Sequence, residues 1–293
     1  MKLKKLIIGA VLSVFCMSAF SACQSAESSS SGEKNSENSV SSDVKVSGGN
    51  IGEVTISTGD TVAEIEIEGF GTIKAKLFPD IAPIGVENFK QLAEQGYYDG
   101  KNIHRVISDF MLQGGSANGD GTGGDAAYSG EGSSAKDFGT ETDRNARHFY
   151  GALCYANALG RNSTQFYIVN NKEPQDIAGM DTSPLEANAK AAKSYKDQCE
   201  KGTNEYNYYA AMEKQYSTMA EWFKSPTEQE ISKYKQGGVY YLDGGYTVFG
   251  QVVEGFDVID SISSVEVTEN SGGEKSQPVE DIMIKTVRVY TAE

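Results

Sequence analysis

The protein has 293 residues, 39% of them apolar, and carries 26 Lys and Arg against 41 Asp and Glu, which gives a formal net charge of −15. This acidic balance argues against a protein that binds a nucleic-acid backbone, because such proteins hold phosphates with clustered Lys and Arg. Two histidines are too few for a multi-His metal centre, and the spacing of the four cysteines matches no zinc pattern. We therefore expect no metal, no cofactor and no nucleic-acid partner.

The first 22 residues have the features of an export signal. Lys4 and Lys5 precede an apolar run from Leu6 to Phe20, which is shorter than the roughly 20 residues that a transmembrane helix needs. Residues 20–23 (Phe-Ser-Ala-Cys) resemble the lipobox of bacterial lipoproteins, which implies cleavage before Cys23 and two acyl chains on its thiol. An ordinary cleaved signal peptide is the alternative. A lipidated Cys23 would hold the protein on the outer face of the bacterial cytoplasmic membrane, in the periplasm or at the cell surface.

The next segment, residues 23–50, is rich in Ser, Glu and Asn and has few apolar side chains. Such a composition cannot bury enough apolar surface to fold, so it predicts a disordered tether. We expect a folded, monomeric domain over residues 51–293, interrupted by an insertion over residues 171–238.

From Val54 onward, apolar and polar residues alternate as they do in strands. Residues 65–67 and 73–77 predict a hairpin, and Pro83 and Gly96 mark the start and end of an amphipathic helix. Many short strands with only two helices predict a mainly β protein, a closed antiparallel β-barrel. The other predicted strands are Ile103–Ile107, Met111–Gln113, Ala152–Ala156, Phe166–Val169, Thr247–Val253 and Ile282–Tyr290, and the second helix is Phe256–Ile262.

The insertion has a helical rather than a strand-like period. Possible capping boxes at residues 183–186 and 225–228 predict helix starts, and we expect a hairpin of two longer helices followed by a short third one. Nine of the 16 tyrosines lie between residues 195 and 246, so a peptide-contact surface is the alternative to simple helix packing. The main apolar stripe, spaced 3, 4, 3 and 4, consists of Tyr209, Met212, Tyr216, Met219 and Phe223.

Residues that could carry chemistry are concentrated in a few short stretches. Residues 104–115 place one cation, one amide and two large apolar side chains close together, and further polar and aromatic stretches follow at 155–158, 163–168 and 242–250. The glycine-rich segment 120–124 lacks the Lys-Ser/Thr of a P-loop, so we expect no phosphate site there. No Ser, Cys or carboxylate has an evident His partner by spacing, which disfavours a hydrolase.

Taken in this order, the stretches resemble the cyclophilin family of peptidyl-prolyl cis–trans isomerases over about residues 62–289. The resemblance implies a closed eight-stranded antiparallel β-barrel capped by two helices, here with an inserted α-helical hairpin. It also implies that Arg105 and Gln113 are the catalytic residues. The residues implied to bind substrate are His104, Phe110, Met111, Ala156, Asn157, Ala158, Gln165, Tyr167, Tyr241, Leu242 and Tyr246.

Three of these residues depart from the usual family pattern. Tyr167 stands where the family has Phe in the proline pocket, and it adds a hydroxyl that needs a partner. Tyr241 replaces the Trp that favours cyclosporin binding in many members, and Tyr246 replaces a second groove histidine. We therefore expect altered substrate preference and weak binding of cyclosporin.

The implied reaction is rotation about X-Pro bonds in unfolded or extended polypeptides that have been exported. Uncatalysed rotation faces a barrier of about 18–20 kcal/mol, but it needs no proton abstraction and no covalent intermediate. The guanidinium of Arg105, always charged, could donate to the twisted amide nitrogen and so favour the transition state. The alternative is a peptide-binding or chaperone module with weak or no isomerase activity.

Two cysteines lie in the predicted folded domain. In an exported chain Cys154 and Cys199 could form a disulfide, and two inert buried thiols are the alternative.

Overall fold

The computed structural model describes residues 49–134 and 136–293. The predicted signal peptide, Cys23 and the predicted tether up to residue 48 lie outside the described residues. Asn50 belongs to the fold, because it is buried and its amide exchanges hydrogen bonds of 2.8 and 2.9 Å with the backbone of Arg147. The folded domain therefore begins before residue 51. None of the helices in the described part of the chain is both long and apolar enough to span a bilayer.

The described residues form strands, helices and one short 3-10 turn. In chain order these are β1 (Thr61–Ile67), β2 (Gly71–Leu77), α1 (Pro83–Glu94), β3 (Ile103–Ile107), β4 (Met111–Gly114), β5 (Phe138–Gly139), β6 (Ala152–Ala158), β7 (Arg161–Val169), α2 (Ser183–Lys196), α3 (Asn204–Lys224), α4 (Glu228–Tyr234), the turn Tyr240–Leu242, β8 (Val248–Glu254), α5 (Phe256–Ser263), β9 (Val267–Glu269), β10 (Lys275–Pro278) and β11 (Ile284–Thr291).

The main sheet is a curled antiparallel path of eight strands. Its order is β11-β1-β2-β8-β6-β7-β4-β3, with the two-residue strand β5 beside β7. The two end strands, β11 and β3, do not pair as strands; a single bridge joins Asn102 to Met283, one residue before each of them. The hairpin of β9 and β10 packs beside β3 instead. The sheet is thus a half-barrel, and the closed barrel predicted from the sequence is not confirmed.

The predicted core of the sheet and first helix is confirmed. The alternating residues of β1 and β2 are buried, and helix α1 begins at Pro83 as expected from a proline at the first helical position. Its face of Val86, Phe89 and Leu92 is buried against the sheet. The Phe89 ring lies 5.1 Å from that of Phe249 on β8, centre to centre. This packing closes one side of the sheet.

The chain leaves the sheet after β7 and returns before β8 through α2, α3 and α4. Helices α2 and α3 contact each other through the stacked rings of Tyr195 and Tyr209, 5.2 Å apart, and an ion pair of Lys196 with Glu213. At its other end, α3 buries Met219 in a separate apolar cluster. The members of that cluster are Ile51, Phe149, Ile177, Met219, Phe223 and Tyr234.

The helix start predicted at Ser183 is confirmed, whereas α4 begins at Glu228, and neither predicted capping box is present. Helix α4 is capped by Thr227, whose side chain accepts from the N–H of Glu230 while the carboxylate of Glu230 accepts from the N–H of Thr227. Helix α2 has no side-chain cap of this kind at Ser183, whose N–H donates to the carboxylate of Asp181 instead. At α4 the capping residue therefore lies two residues after the predicted one, and α2 has no side-chain cap.

The two cysteines of the described domain are both free. Cys154 is buried on β6, and burial raises the pKa of its thiol well above the usual value. Cys199 is half-buried after α2. A disulfide between them is therefore absent; the two cysteines are free thiols, and of the two only Cys154 is buried.

Candidate active site

The pairing register aligns side chains from four neighbouring strands. Arg105 on β3 lies opposite Gln113 on β4, Gln113 lies opposite Tyr167 on β7, and Tyr167 lies opposite Cys154 on β6. Residues directly opposite each other in an antiparallel pair share one face of the sheet. The register thus brings together three of the residues that the sequence predicted for the site.

The guanidinium of Arg105 lies beside apolar side chains. Its Nη1 donates to Oε1 of Gln113 at 3.2 Å and lies 3.7 Å from Sδ of Met111. Its Cζ lies 5.6 Å from the centre of the Phe110 ring, within the range of a cation–π contact. The Arg105 side chain is 24% exposed, so part of it is accessible to solvent. The predicted proximity of these four residues is confirmed.

The hydrogen bonds continue across the sheet from Gln113. Its Nε2 donates to Oε1 of Gln165 at 2.9 Å, and Nε2 of Gln165 donates to the backbone oxygen of Gly121 at 2.9 Å. Because each amide accepts at its oxygen and donates at its nitrogen, the carbonyl of Gly121 sets the orientation of both. The glycine-rich segment 120–124 therefore supports the amide that holds Arg105.

A carboxylate that the sequence did not predict pairs with the other side of Arg105. Glu274, in the turn between β9 and β10, accepts from Nε at 2.6 Å and from Nη2 at 2.8 Å. The hydrogen bonds from Arg105 outweigh partial burial and lower the pKa of Glu274 below its usual value. The only signal in the sequence was a carboxylate in a glycine-rich turn, 169 residues from its partner.

An apolar cluster adjoins the guanidinium through Met111. Six of the predicted groove residues belong to it: Met111, Tyr167 and Leu242 are buried, and Phe110, Ala156 and Tyr246 pack against them partly exposed. Tyr241 is 46% exposed, and its ring centre lies 6.0 Å from that of Phe110. The site therefore combines a reachable cation with an apolar surface at the same edge.

The hydroxyl of Tyr167 has a buried partner. It lies 2.9 Å from Nε2 of His148, whose Nδ1 lies 2.8 Å from Oδ1 of Asp243. A carboxylate can only accept, so in the neutral ring Nδ1 carries the proton and Nε2 accepts the O–H of Tyr167. Burial raises the pKa of Tyr167 well above its usual value, so the phenol stays protonated. The Tyr167 hydroxyl therefore needs no hydrogen bond to water, and its bond to His148 fixes the position of the Tyr167 ring.

The same aspartate is paired with a fully buried arginine. Nε of Arg147 donates to Oδ2 of Asp243 at 2.6 Å, and its Nη1 donates to Oε1 of Glu230, on α4, at 2.5 Å. Burial by itself raises the pKa of Asp243, but the charge of Arg147 and hydrogen bonds from His148 outweigh it, and the pKa is lowered. The rings of the helical segment that lie 4.7–5.7 Å from the guanidinium carbon are Trp222, Phe223 and Tyr234.

This network ties the insertion to the apolar part of the site. It runs from Glu230 through Arg147, Asp243 and His148 to Tyr167. The only local sign of this network in the sequence is that Asp243 directly follows the predicted groove residue Leu242.

The remaining predicted residues lie at the margins of the site. His104 is buried, and burial together with the charge of Arg105 lowers its pKa to about 4, so it is neutral at physiological pH. The side-chain Nδ2 of Asn157 donates to the backbone oxygen of Gly245 at 2.9 Å, and Ala158 is exposed at the end of β6. In residues 49–134 and 136–293, no three His, Cys, Asp or Glu side chains are grouped as metal ligands would be.

Comparison with known proteins agrees with this arrangement. The family model described as "Cyclophilin type peptidyl-prolyl cis-trans isomerase/CLD" matches residues 62–289. A protein of Staphylococcus haemolyticus (strain JCSC1435), named "Putative peptidyl-prolyl cis-trans isomerase", is 34% identical over 226 residues, which cover 75% of this chain and 86% of the relative. A protein of the same name from Staphylococcus aureus (strain COL) is 32% identical over 222 residues, which cover 75% and 87%.

The fold is also found among solved structures. A crystal structure of a Cryptosporidium parvum cyclophilin type peptidyl-prolyl cis-trans isomerase aligns with a TM-score of 0.51 and 18% identity, over 80% of this chain and 99% of that one. A second structure of that protein, in the presence of the dipeptide Ala-Pro, aligns with a TM-score of 0.50, 19% identity and coverage of 78% and 99%. At such identities the likeness concerns the fold. Since the family model spans most of the chain and the staphylococcal relatives exceed 30% identity, this protein belongs to the cyclophilin-type peptidyl-prolyl cis–trans isomerases.

Proposed function

We propose that this isomerase accelerates rotation about X-Pro bonds in exported polypeptides and that Arg105 is the group that lowers the barrier. The observation that carries the proposal is the guanidinium of Arg105, hydrogen-bonded to Gln113 and lying beside Phe110 and Met111. A cation next to an apolar surface suits a proline ring and the amide that precedes it.

The chemistry requires only selective binding of a twisted amide. As the C–N bond rotates, resonance is lost and the nitrogen becomes pyramidal and able to accept a hydrogen bond. A donor that meets this lone pair only in the twisted state lowers the barrier without stabilising the planar substrate equally. An acceleration of about 10⁵ requires roughly 7 kcal/mol. Oriented donors in a partly water-excluded site can supply energies of this order.

The apolar cluster would hold the proline ring. Phe110, which lies beside Arg105, and Ala156 and Tyr246 supply the partly exposed apolar surface, and they pack against the buried Met111, Leu242 and Tyr167. Since the Tyr167 hydroxyl is bound by His148, the ring can serve as an apolar wall although its phenol is polar. The Cryptosporidium neighbour was solved in the presence of Ala-Pro, and we propose the same class of ligand, a proline-containing peptide, for this chain.

We further propose that the protein works as a monomer outside the cytoplasm. The support for the location is in the sequence: residues 20–23 resemble the lipobox pattern around Cys23, and residues 24–48 have the composition of a tether. Two acyl chains on Cys23 would hold the domain at the membrane surface, where newly exported clients emerge.

The test is prolyl isomerisation of a short peptide by the full chain and by Arg105→Ala. Loss of one preorganised donor is expected to lower kcat by about 10²–10³. Arg288→Ala is the matched control, because Arg288 lies on β11 and its side chain is 68% exposed. An Arg105→Ala protein with the parent rate would refute the mechanism.

A second role, client binding by the insertion, is favoured by one observation. Tyr195 on α2 is 55% exposed and stacks on Tyr209. Deleting the insertion would not test this role, because α3 and α4 cover the buried Arg147. Tyr195→Ser is the better variant. Under this proposal it slows refolding of a protein client in the presence of the isomerase but leaves turnover of a short peptide unchanged.

A further inference from the structure

We propose that Glu274 is a positioning residue for Arg105, and that the hairpin of β9 and β10 is part of the catalytic apparatus because it presents this carboxylate. The inference rests on the proposed role of Arg105. It adds a residue that neither the family match nor the sequence motifs single out.

The geometry is that of a side-on, two-point clamp. Oε2 of Glu274 accepts from Nε of Arg105 at 2.6 Å, and Oε1 accepts from Nη2 at 2.8 Å. Together with the bond from Nη1 to Gln113, three nitrogen atoms of one planar group are held from two sides. A bidentate pair of this kind fixes the plane and the rotation of the guanidinium, which a single hydrogen bond does not.

Glu274 is itself held in place by its turn. The backbone N–H of Glu274 donates to Oδ1 of Asn270 at 3.1 Å, and the N–H of Asn270 donates to the backbone oxygen of Glu274 at 2.9 Å. The side-chain Nδ2 of Asn270 donates to the hydroxyl of Ser276, which is fully buried on β10. Because β10 packs beside β3, this turn is anchored to the strand that carries Arg105.

Two effects of the carboxylate oppose each other. Its negative charge reduces the positive potential at Arg105, whereas its two hydrogen bonds keep the guanidinium in one orientation. The reacting amide is neutral, so it responds mainly to the direction of the donor rather than to net charge. Fixing an arginine side chain in one rotamer costs conformational entropy. Because Glu274 already fixes the guanidinium before substrate binds, this cost is not added to the barrier of the catalytic step. We therefore expect the positioning effect to dominate.

The experiment compares the full chain with Glu274→Gln and Glu274→Ala in a peptide isomerisation assay that resolves kcat from KM. Glu274→Gln is expected to lower kcat about tenfold, equivalent to about 1.4 kcal/mol, with KM changed by less than about twofold. Glu269→Gln is the matched control, since Glu269 is an exposed carboxylate on β9 of the same hairpin. The control is expected to keep the parent values.

A readout independent of activity is the Arg105 Nε–H signal in NMR. The parent is expected to show a resolved, slowly exchanging signal, and Glu274→Gln and Glu274→Ala are expected to show fast exchange. In an Arg105→Ala background, Glu274→Gln should have no further effect on kcat, because the residue it positions is absent.

The outcomes separate this inference from the proposed function. If Arg105→Ala loses activity but both Glu274 variants keep or exceed the parent kcat, Glu274 is not a positioning residue. If Arg105→Ala keeps the parent rate, the proposed role of Arg105 is wrong, and the inference about Glu274, which rests on it, is wrong as well. A loss in Glu274→Gln that persists undiminished in the Arg105→Ala background would likewise overturn the inference, because the carboxylate would then act elsewhere.

Discussion

Substitution of Glu230 on α4 tests how much the contacts between the insertion and the rest of the domain contribute to the free energy of unfolding. Both Glu230 and Arg147 are completely buried, and their closest atoms are 2.5 Å apart. The other oxygen of Glu230 accepts from Nη2 of Arg144 at 2.9 Å and from the N–H of Thr227 at 2.6 Å. Glu230→Gln keeps the size of the side chain but removes its charge, and it turns an N–H₂ group toward one of these donors.

The expected cost follows from the burial of the pair. Removing one partner of a buried ion pair leaves the other charge without compensation and typically costs about 3–5 kcal/mol. Arg147 still has Asp243 as a partner, so we expect the lower part of this range. A domain with the usual stability of about 5–15 kcal/mol would therefore lose a large fraction of its free energy of unfolding.

The assay is urea unfolding of the parent and of Glu230→Gln, followed by fluorescence of the single tryptophan, Trp222, which lies against Arg147. Glu228→Gln is the control, because Glu228 lies in the first turn of the same helix but is exposed. We expect the control to lie within about 0.5 kcal/mol of the parent. If Glu230→Gln were equally close to the parent, the buried network would not contribute as described.

Two further outcomes follow from the same network. Tyr167→Phe leaves Nε2 of His148 without its partner and is expected to lower the free energy of unfolding by about 1–3 kcal/mol. Tyr290→Phe is the control, because Tyr290 is exposed on β11 and its hydroxyl should contribute little to stability. Equal Tm values for the two variants would contradict this. The pKa of Glu230 is lowered from its usual 4.5, because hydrogen bonds from Arg144 and the charge of Arg147 outweigh the effect of burial. The ionised form of Glu230 therefore stabilises the folded state at pH values above 4.5. The difference in unfolding free energy between the parent and Glu230→Gln should therefore be constant near neutral pH and shrink as the pH falls below 4.5; a constant difference at all pH values would contradict this assignment.

Local patterns were sufficient for most of the strands and for α1. The alternation in β1 and β2 and the helical spacing of Val86, Phe89 and Leu92 record which face of each element is buried, and the structure buries those faces. Helix caps were less reliable than helix starts, because several residues near a terminus can act as the cap. At α4, Ser225 and Thr227 each have a glutamate three residues later, and the structure forms the box with Thr227 and Glu230.

Closure of the sheet could not be read from local patterns. Whether β3 pairs with β11 depends on what lies beside β3, and the hairpin of β9 and β10 takes that place. The strands of that hairpin are three and four residues long, and their residues alternate too briefly to be recognised as strands.

The sequence by itself determined the family, the row of Arg105, Phe110, Met111 and Gln113, and the apolar residues that surround it, because these lie close together in the chain or in motifs of fixed order. Only the tertiary structure decided which carboxylates pair with Arg147 and Arg105. Glu274 is 169 residues from Arg105, and Asp243 is 96 residues from Arg147. Hydrophobic periodicity reports the environment of one element, whereas an ion pair between distant segments depends on the path of the whole chain, so no local pattern can specify it.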